Sequence, residues 1–347
     1  MTHFQSKEDT SWLDNLRVTA TISVIFLHVA APFLSKFGNI SNFNWWTANV
    51  YDSLVRFSVP VFVMITGALL LPKEYQLNDY LKKRVVRIVF PFAFWIIVYL
   101  IHVLSLLKNG FKLPFLDMLT IGATKFANQT TYHFWYIYMI IGIYLFIPII
   151  SKWAKKATER EILYFLLLWA IAIVIAQPIF FNYVPDFNLK YFAGFIGYIV
   201  LGYYLFVKNL ENVKHIKAIS FFIFIFGVLI TIFGTYFLSY YNDRFIIDLY
   251  NYFSPNVVIA AIGLFLFFKH IKLENSQLKI VRKFINKHSF GIYLVHILVL
   301  FYLNKFGVNG ALFGPILGIP ITALLCLAIS SLIIFLLKKL HLGKLAG

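Results

Sequence analysis

A single cysteine, Cys326, occurs among the 347 residues, so no intrachain disulfide can form. It lies inside a long apolar run, where a thiolate would be poorly solvated, and it reads as a small core residue. Charge is scarce as well: Asp, Glu, Lys and Arg make up 13% of the chain, against about 25% in soluble domains. Carboxylates are the scarcest, 14 against 31 Lys and Arg, and the apolar runs hold almost none. With no HExxH motif and no cysteine cluster, a metal centre is not expected. Neither GxGxxG nor GxxxxGK[ST] occurs, so no nucleotide-binding fold is implied, and no motif supports a Ser–His–Asp triad. What fills the sequence is apolar: 61% hydrophobic residues and 19% aromatics, with 39 Phe and 21 Tyr. That composition excludes a soluble enzyme, a disordered chain and a disulfide scaffold, and points to a bilayer.

Apolar runs of about 17–25 residues are candidates for spanning helices. Ten such runs are present, at 13–34, 53–72, 84–107, 132–151, 161–181, 191–207, 216–240, 253–269, 289–306 and 311–337. Their length and their internal Gly and Pro fit helices better than alternating barrel strands. The last run holds Pro315 and Pro320, so it is expected to start as a loop or to kink. The expected fold is therefore all-α, a polytopic bundle of about ten transmembrane helices. The first run is too long for a signal-peptide core and is expected to be retained. No repeat or low-complexity segment appears, and the connections are short. Residues 1–347 are expected to form one membrane domain with no appended soluble domain.

The net charge is +17, which in a soluble chain would suggest nucleic acid. Its distribution excludes that partner, because the basic residues sit in the short gaps between apolar runs. With the N-terminus inside, 23 of the 31 Lys and Arg fall on the cytoplasmic side and 8 on the outer side. The bias alternates with every span, so both termini are expected to be cytoplasmic. Membrane lipids are then obligatory partners, and a homo-oligomer is compatible with the sequence.

Ionisable groups inside a span are costly and mark function. In the first run, Arg17 and His28 stand eleven residues apart. That spacing puts them on one face, about 20° apart in rotation and about 16 Å apart along the axis. Asp14, one turn before Arg17, is placed to pair with it. His28 falls past the midplane. Arg84 and Arg87 share a face at the inner end of the third run, where orientation alone predicts basic residues and where Arg forks also suit phosphate. His133 stands among Trp135 and Tyr136 at an outer end, Tyr293 and His296 share a face of the ninth run, and Arg56 sits one turn after Asp52 as an expected local ion pair.

These residues carry a resemblance. The stretches 12–17 (WLDNLR) running on to His28, 56–67 (RFSVPVFVMITG), 133–136 (HFWY) and 288–296 (HSFGIYLVH) resemble the acyltransferase 3 family of integral membrane acyltransferases. The resemblance spans essentially the whole chain. It implies transfer of an acyl group, commonly acetyl, from cytoplasmic acyl-CoA to a hydroxyl of a cell-envelope or lipid-linked glycan, in the bacterial plasma membrane. Acyl-CoA would be the donor substrate, with no tightly bound cofactor. Carried over by position, His28 is the catalytic histidine and Arg17 the arginine of its motif, supported by Asp14. Arg84 and Arg87 would meet the CoA phosphates. Arg56, His133, Trp135, Tyr136, Tyr293 and His296 would line the substrate path. A transporter or flippase for a lipid-linked sugar or small metabolite is the rival reading, although the repeated halves of many transporters are not found here.

Overall fold

Proline and glycine decide where these helices break and how closely they approach. The computed structural model describes residues 10–107, 114–128, 132–180, 194–272 and 279–347. Residues 181 and 191–193, at the edges of two expected spans, lie outside them, as do Lys7, Lys108, Lys112 and Lys190. The described residues form thirteen α-helices: α1 (Ser11–Leu34), α2 (Asn42–Val55), α3 (Ser58–Leu70), α4 (Leu77–Leu106), α5 (Phe115–Asn128), α6 (Trp135–Lys156), α7 (Glu159–Ile175), α8 (Ile196–Val207), α9 (Ile216–Tyr241), α10 (Pro255–His270), α11 (Lys279–Lys305), α12 (Pro315–Lys339) and α13 (Gly343–Ala346). Among the described residues no strand occurs.

Among the described residues, each of the ten apolar runs overlaps helix, and eight helical stretches are long and apolar enough to cross a membrane. The fifth and sixth expected spans are shorter, as α7 has 17 residues and α8 has 12. The second expected span differs in its bounds. It begins at Asn42, where the Ser41 side chain caps the Asn44 N–H at 3.3 Å, and it is interrupted at Arg56–Phe57. Pro60 accounts for the break, since it has no N–H to give to the Arg56 carbonyl four residues earlier. Part of the expected connection over 108–131 is the amphipathic helix α5, with Phe115 and Leu116 exposed. Such a surface helix has too little continuous apolar sequence to register as a span. In α12, Pro315 occupies the first turn and Pro320 frees the Ile316 carbonyl, which the Tyr51 hydroxyl meets at 3.0 Å.

Helix α1 lies at the centre of the bundle, packed against α2, α3, α10, α11 and α12. Glycine sets the tightest crossing. A Cβ on Gly67 of α3 would sit 2.0 Å from the Ile199 carbonyl oxygen of α8, and one on Gly202 would sit 2.2 Å from the Met64 carbonyl oxygen. Backbones that meet this closely admit no side chain. Gly202→Ala is therefore expected to force α3 and α8 apart at a cost of about 1–3 kcal/mol. A lower unfolding midpoint of the detergent-solubilised protein would register it, and an unchanged midpoint would show that the crossing can yield.

The turn after α3 is tied to α6. Ser151 donates to the Leu71 and Lys73 carbonyls at 2.9 and 2.6 Å, and Lys155 pairs with Glu74. The Lys155 ammonium, by hydrogen bond and by charge, holds the exposed Glu74 carboxyl below its ordinary value. Exposed as it is, this pair orients the turn and adds little stability.

Candidate active site

Two cavities approach the middle of the bundle from opposite ends of α1. The first, about 340 Å³, is basic: among the described residues Arg17, Lys73, Arg84, Arg87 and Lys287 line it, and no Asp or Glu side chain does. Arg84 and Arg87 reach it together because they lie three apart on α4. Arg17 is held in place by Asn286 of α11 at 2.9 Å and, more loosely, by Asp14 at 3.5 Å. Asp14 itself is half-exposed and does not line the cavity. Tyr136, Tyr144 and Tyr293 form the inner wall.

The second cavity, about 470 Å³, holds His28 and Tyr132, with Lys36, Asn304, Asn309 and Thr322. The Tyr132 hydroxyl stands 3.2 Å from His28 Nδ1. Behind His28 lies His296, ring centroids 5.2 Å apart, and behind that His133 at 5.4 Å. Tyr293 ties this cluster to the basic cavity. Its hydroxyl donates to the His133 carbonyl, and its ring lies 5.5 Å from His296 and 5.2 Å from Tyr136. Tyr136, Tyr293 and His296 thus form a chain of ring contacts from the basic cavity to His28. Although three imidazoles gather here, among the described residues no group of three His, Cys, Asp or Glu is placed to hold a metal ion.

The remaining residues singled out in the sequence sit at the margins. His133 is buried against Tyr99 and His296 and lines neither cavity. Arg56 bonds the fully buried Asp52 and lies over the Tyr250 ring at 4.3 Å. Trp135 stacks on Tyr252 at 5.6 Å and also lines neither cavity. Arg17 and His28 share a face of α1 yet open onto different cavities, Tyr136 and Tyr293 lining the one at Arg17. Sequence reasoning did not single out Tyr132, Asn286, Lys73, Lys287 or Thr322. Tyr132 adjoins His133, so proximity was a usable signal. Asn286 had none, being 269 residues from Arg17 in the chain.

Residues 10–335 match the acyltransferase domain of acyltransferase 3. The chain belongs to the acyltransferase 3 family. It is a multi-pass membrane acyltransferase. Comparison with curated proteins and with solved structures gave no match.

An acyltransferase must take a proton from its nucleophile as the new bond forms. In this acyltransferase the hydrogen bonds decide which imidazole nitrogens are free for that. His296 Nδ1 faces the Tyr293 carbonyl, an acceptor only, so it carries the hydrogen and leaves Nε2 without one. His296 Nε2 is buried and has no hydrogen-bond partner. At His28, where the Tyr132 hydroxyl accepts from Nδ1–H, Nε2 carries no hydrogen. Pro32, four residues on, cannot donate to the His28 carbonyl, so the helix is loosened where His28 meets the cavity.

Proposed function

We propose that this protein moves an acetyl group from cytoplasmic acyl-CoA, held in the basic cavity, to a hydroxyl of a cell-envelope glycan that enters the His28 cavity. One observation carries the reading. A cavity lined, among the described residues, by five cationic side chains and no Asp or Glu side chain lies toward one end of α1, a cavity holding His28 lies toward the other, and Tyr136, Tyr293 and His296 connect them by ring contacts. The CoA phosphates are too charged to enter lipid, so a basic pocket at the inner surface is where they would stay. The 23-to-8 split of basic residues supports that pocket being cytoplasmic and both termini with it. The pantetheine arm would then reach past Arg17 and Tyr293, the roughly 16 Å of α1 that separate Arg17 from His28. Among family members the chain resembles the O-acetyltransferase of enterobacterial common antigen, which supports a lipid-linked or surface glycan as acceptor.

In the step itself, the acceptor oxygen attacks the thioester carbon while its proton passes to His28 Nε2. The C–S bond breaks, and the departing thiolate takes the proton back from the imidazolium, so CoA leaves as the thiol. Arg17, pinned by Asn286, stands beside the donor arm.

Purified protein in lipid vesicles, supplied with labelled acetyl-CoA and glycan fractions, is expected to release CoA and label the glycan as a base-labile ester. Neither CoA release nor labelled glycan, from folded protein, would overturn the reading and favour transport. Within the same assay, Arg84→Ala and Arg87→Ala are each expected to weaken acyl-CoA binding. A charge-assisted contact to phosphate is worth about 1.5–3 kcal/mol, so each should raise the donor KM by one to two orders of magnitude. A double variant that is folded and keeps the donor KM would leave these arginines as topology signals only.

A further inference from the structure

After α12 the chain turns back into the bundle. The reversal is tight: the Leu342 N–H donates to the Leu337 carbonyl at 2.9 Å and the His341 N–H to the Lys338 carbonyl at 3.0 Å. His341, at φ +62°, stands where such a stop usually has glycine. Residues 343–347 then run between α4 and α11, and Ala346 is wholly buried. On one side, the Trp95 indole N–H of α4 donates to the Ala346 carbonyl at 3.3 Å. On the other, the segment rests on the bare backbone of α11. A Cβ on Gly291 would sit 2.6 Å from the Ala346 carbonyl oxygen, and one on Gly347 would sit 2.9 Å from the Gly291 nitrogen. Neither glycine admits a side chain unless the segment moves.

Backbone that returns into a membrane bundle needs partners for its polar groups, and it is kept where protein covers it or where it lines a cavity. Both hold here, since Gly347 lines the basic cavity. The cations of that cavity come from two sides. Arg84 and Arg87 belong to α4, Lys287 belongs to α11, and Arg17 is held by Asn286 of α11. The segment gripped by Trp95 and Gly291 therefore spaces one charged wall from the other. A phosphorylated ligand that both walls bind depends on that spacing, because charge-assisted bonds are short and weaken quickly with distance.

Resting on the acyl-transfer reading above, we propose that residues 343–347 are a positioning element of the donor site: wedged between α4 and α11, they hold Arg84 and Arg87 at the distance from Lys287 and Arg17 that acyl-CoA requires. Gly347 forms part of the wall along which the donor lies.

The test uses the full chain in vesicles with acetyl-CoA. Gly347→Val pushes the segment off Gly291 without changing any charge, and deletion of residues 343–347 removes the spacer. Each is expected to raise the acyl-CoA KM about tenfold, the low end for one charge-assisted contact, and to make that KM less sensitive to salt. The acceptor KM and kcat are expected to stay unchanged, which a general loosening of the bundle would not allow. Should the deletion fail to fold, Gly347→Val decides alone. An unchanged acyl-CoA KM in a folded variant, or a parallel rise in both KM values, overturns the proposal. If the wild-type protein transfers no acetyl group, the acyl-transfer reading is what has failed, and the segment is then judged by binding. Ser289→Cys, on the wall of the basic cavity, is treated in a Cys326→Ser background with a hydrophilic thiol reagent, with CoA as protectant. CoA is expected to slow the labelling, and Gly347→Val to raise the CoA concentration needed about tenfold. Equal protection with and without Gly347→Val, or none in either, overturns it.

Discussion

His28→Gln is expected to insert, fold and bind acyl-CoA normally, yet to transfer acyl groups about 10²–10⁴-fold more slowly. Gln separates the two roles a histidine can have at this position. Its amide can still bond the Tyr132 hydroxyl, which lies 3.2 Å from Nδ1 in the native protein, so a structural histidine would be replaced at little loss. The amide cannot accept a proton, so a general base would not be replaceable. The measurement is acetyl transfer at matched membrane abundance, with acyl-CoA affinity measured beside it. Near-normal transfer would remove the base from His28 and move the transport reading ahead.

The second large effect is on stability. Asp52 is wholly buried, its Oδ1 bonds Arg56, and its Oδ2 has no partner. Arg56 closes α2 at the Pro60 break and lies on the ring of Tyr250, whose hydroxyl donates to Asn49 Oδ1. Asp52→Ala would strand the Arg56 charge in the interior, at a cost of about 3–5 kcal/mol. The expected result is a marked fall in membrane abundance and in the unfolding midpoint in detergent. Removing both charges, as Asp52→Ala with Arg56→Met, should recover most of it, because a buried pair contributes little beyond its own desolvation. An Asp52→Ala protein as stable as the native one would show that Arg56 finds water or lipid headgroups instead.

The helices were legible because hydropathy over twenty residues is a local property. Among the described residues, all ten apolar runs read from composition overlap helix, and Asp14 pairs with Arg17 as helical spacing requires. The Arg56–Asp52 pair was legible for the same reason, being one turn apart. Where a helix is not a continuous apolar run, the sequence was a weaker guide. The amphipathic α5 lay hidden in an expected connection, and α7 and α8 came out shorter than their runs.

The candidate site divides along the same line. Sequence alone determined the family motifs, the central helix that carries Arg17 and His28, and the basic character of one end of the bundle. It determined these because each depends on neighbours within a turn or two of helix, or on composition. Only the tertiary structure decided that Arg17 and His28 open onto two cavities, with Tyr136 and Tyr293 lining the first. Only it brought Asn286 to Arg17 and Tyr132 to His28. Those contacts join helices distant in the chain, and they depend on how closely the backbones pack. Glycines such as Gly67 and Gly202 set that closeness by having no side chain, which no local pattern of hydropathy or charge records.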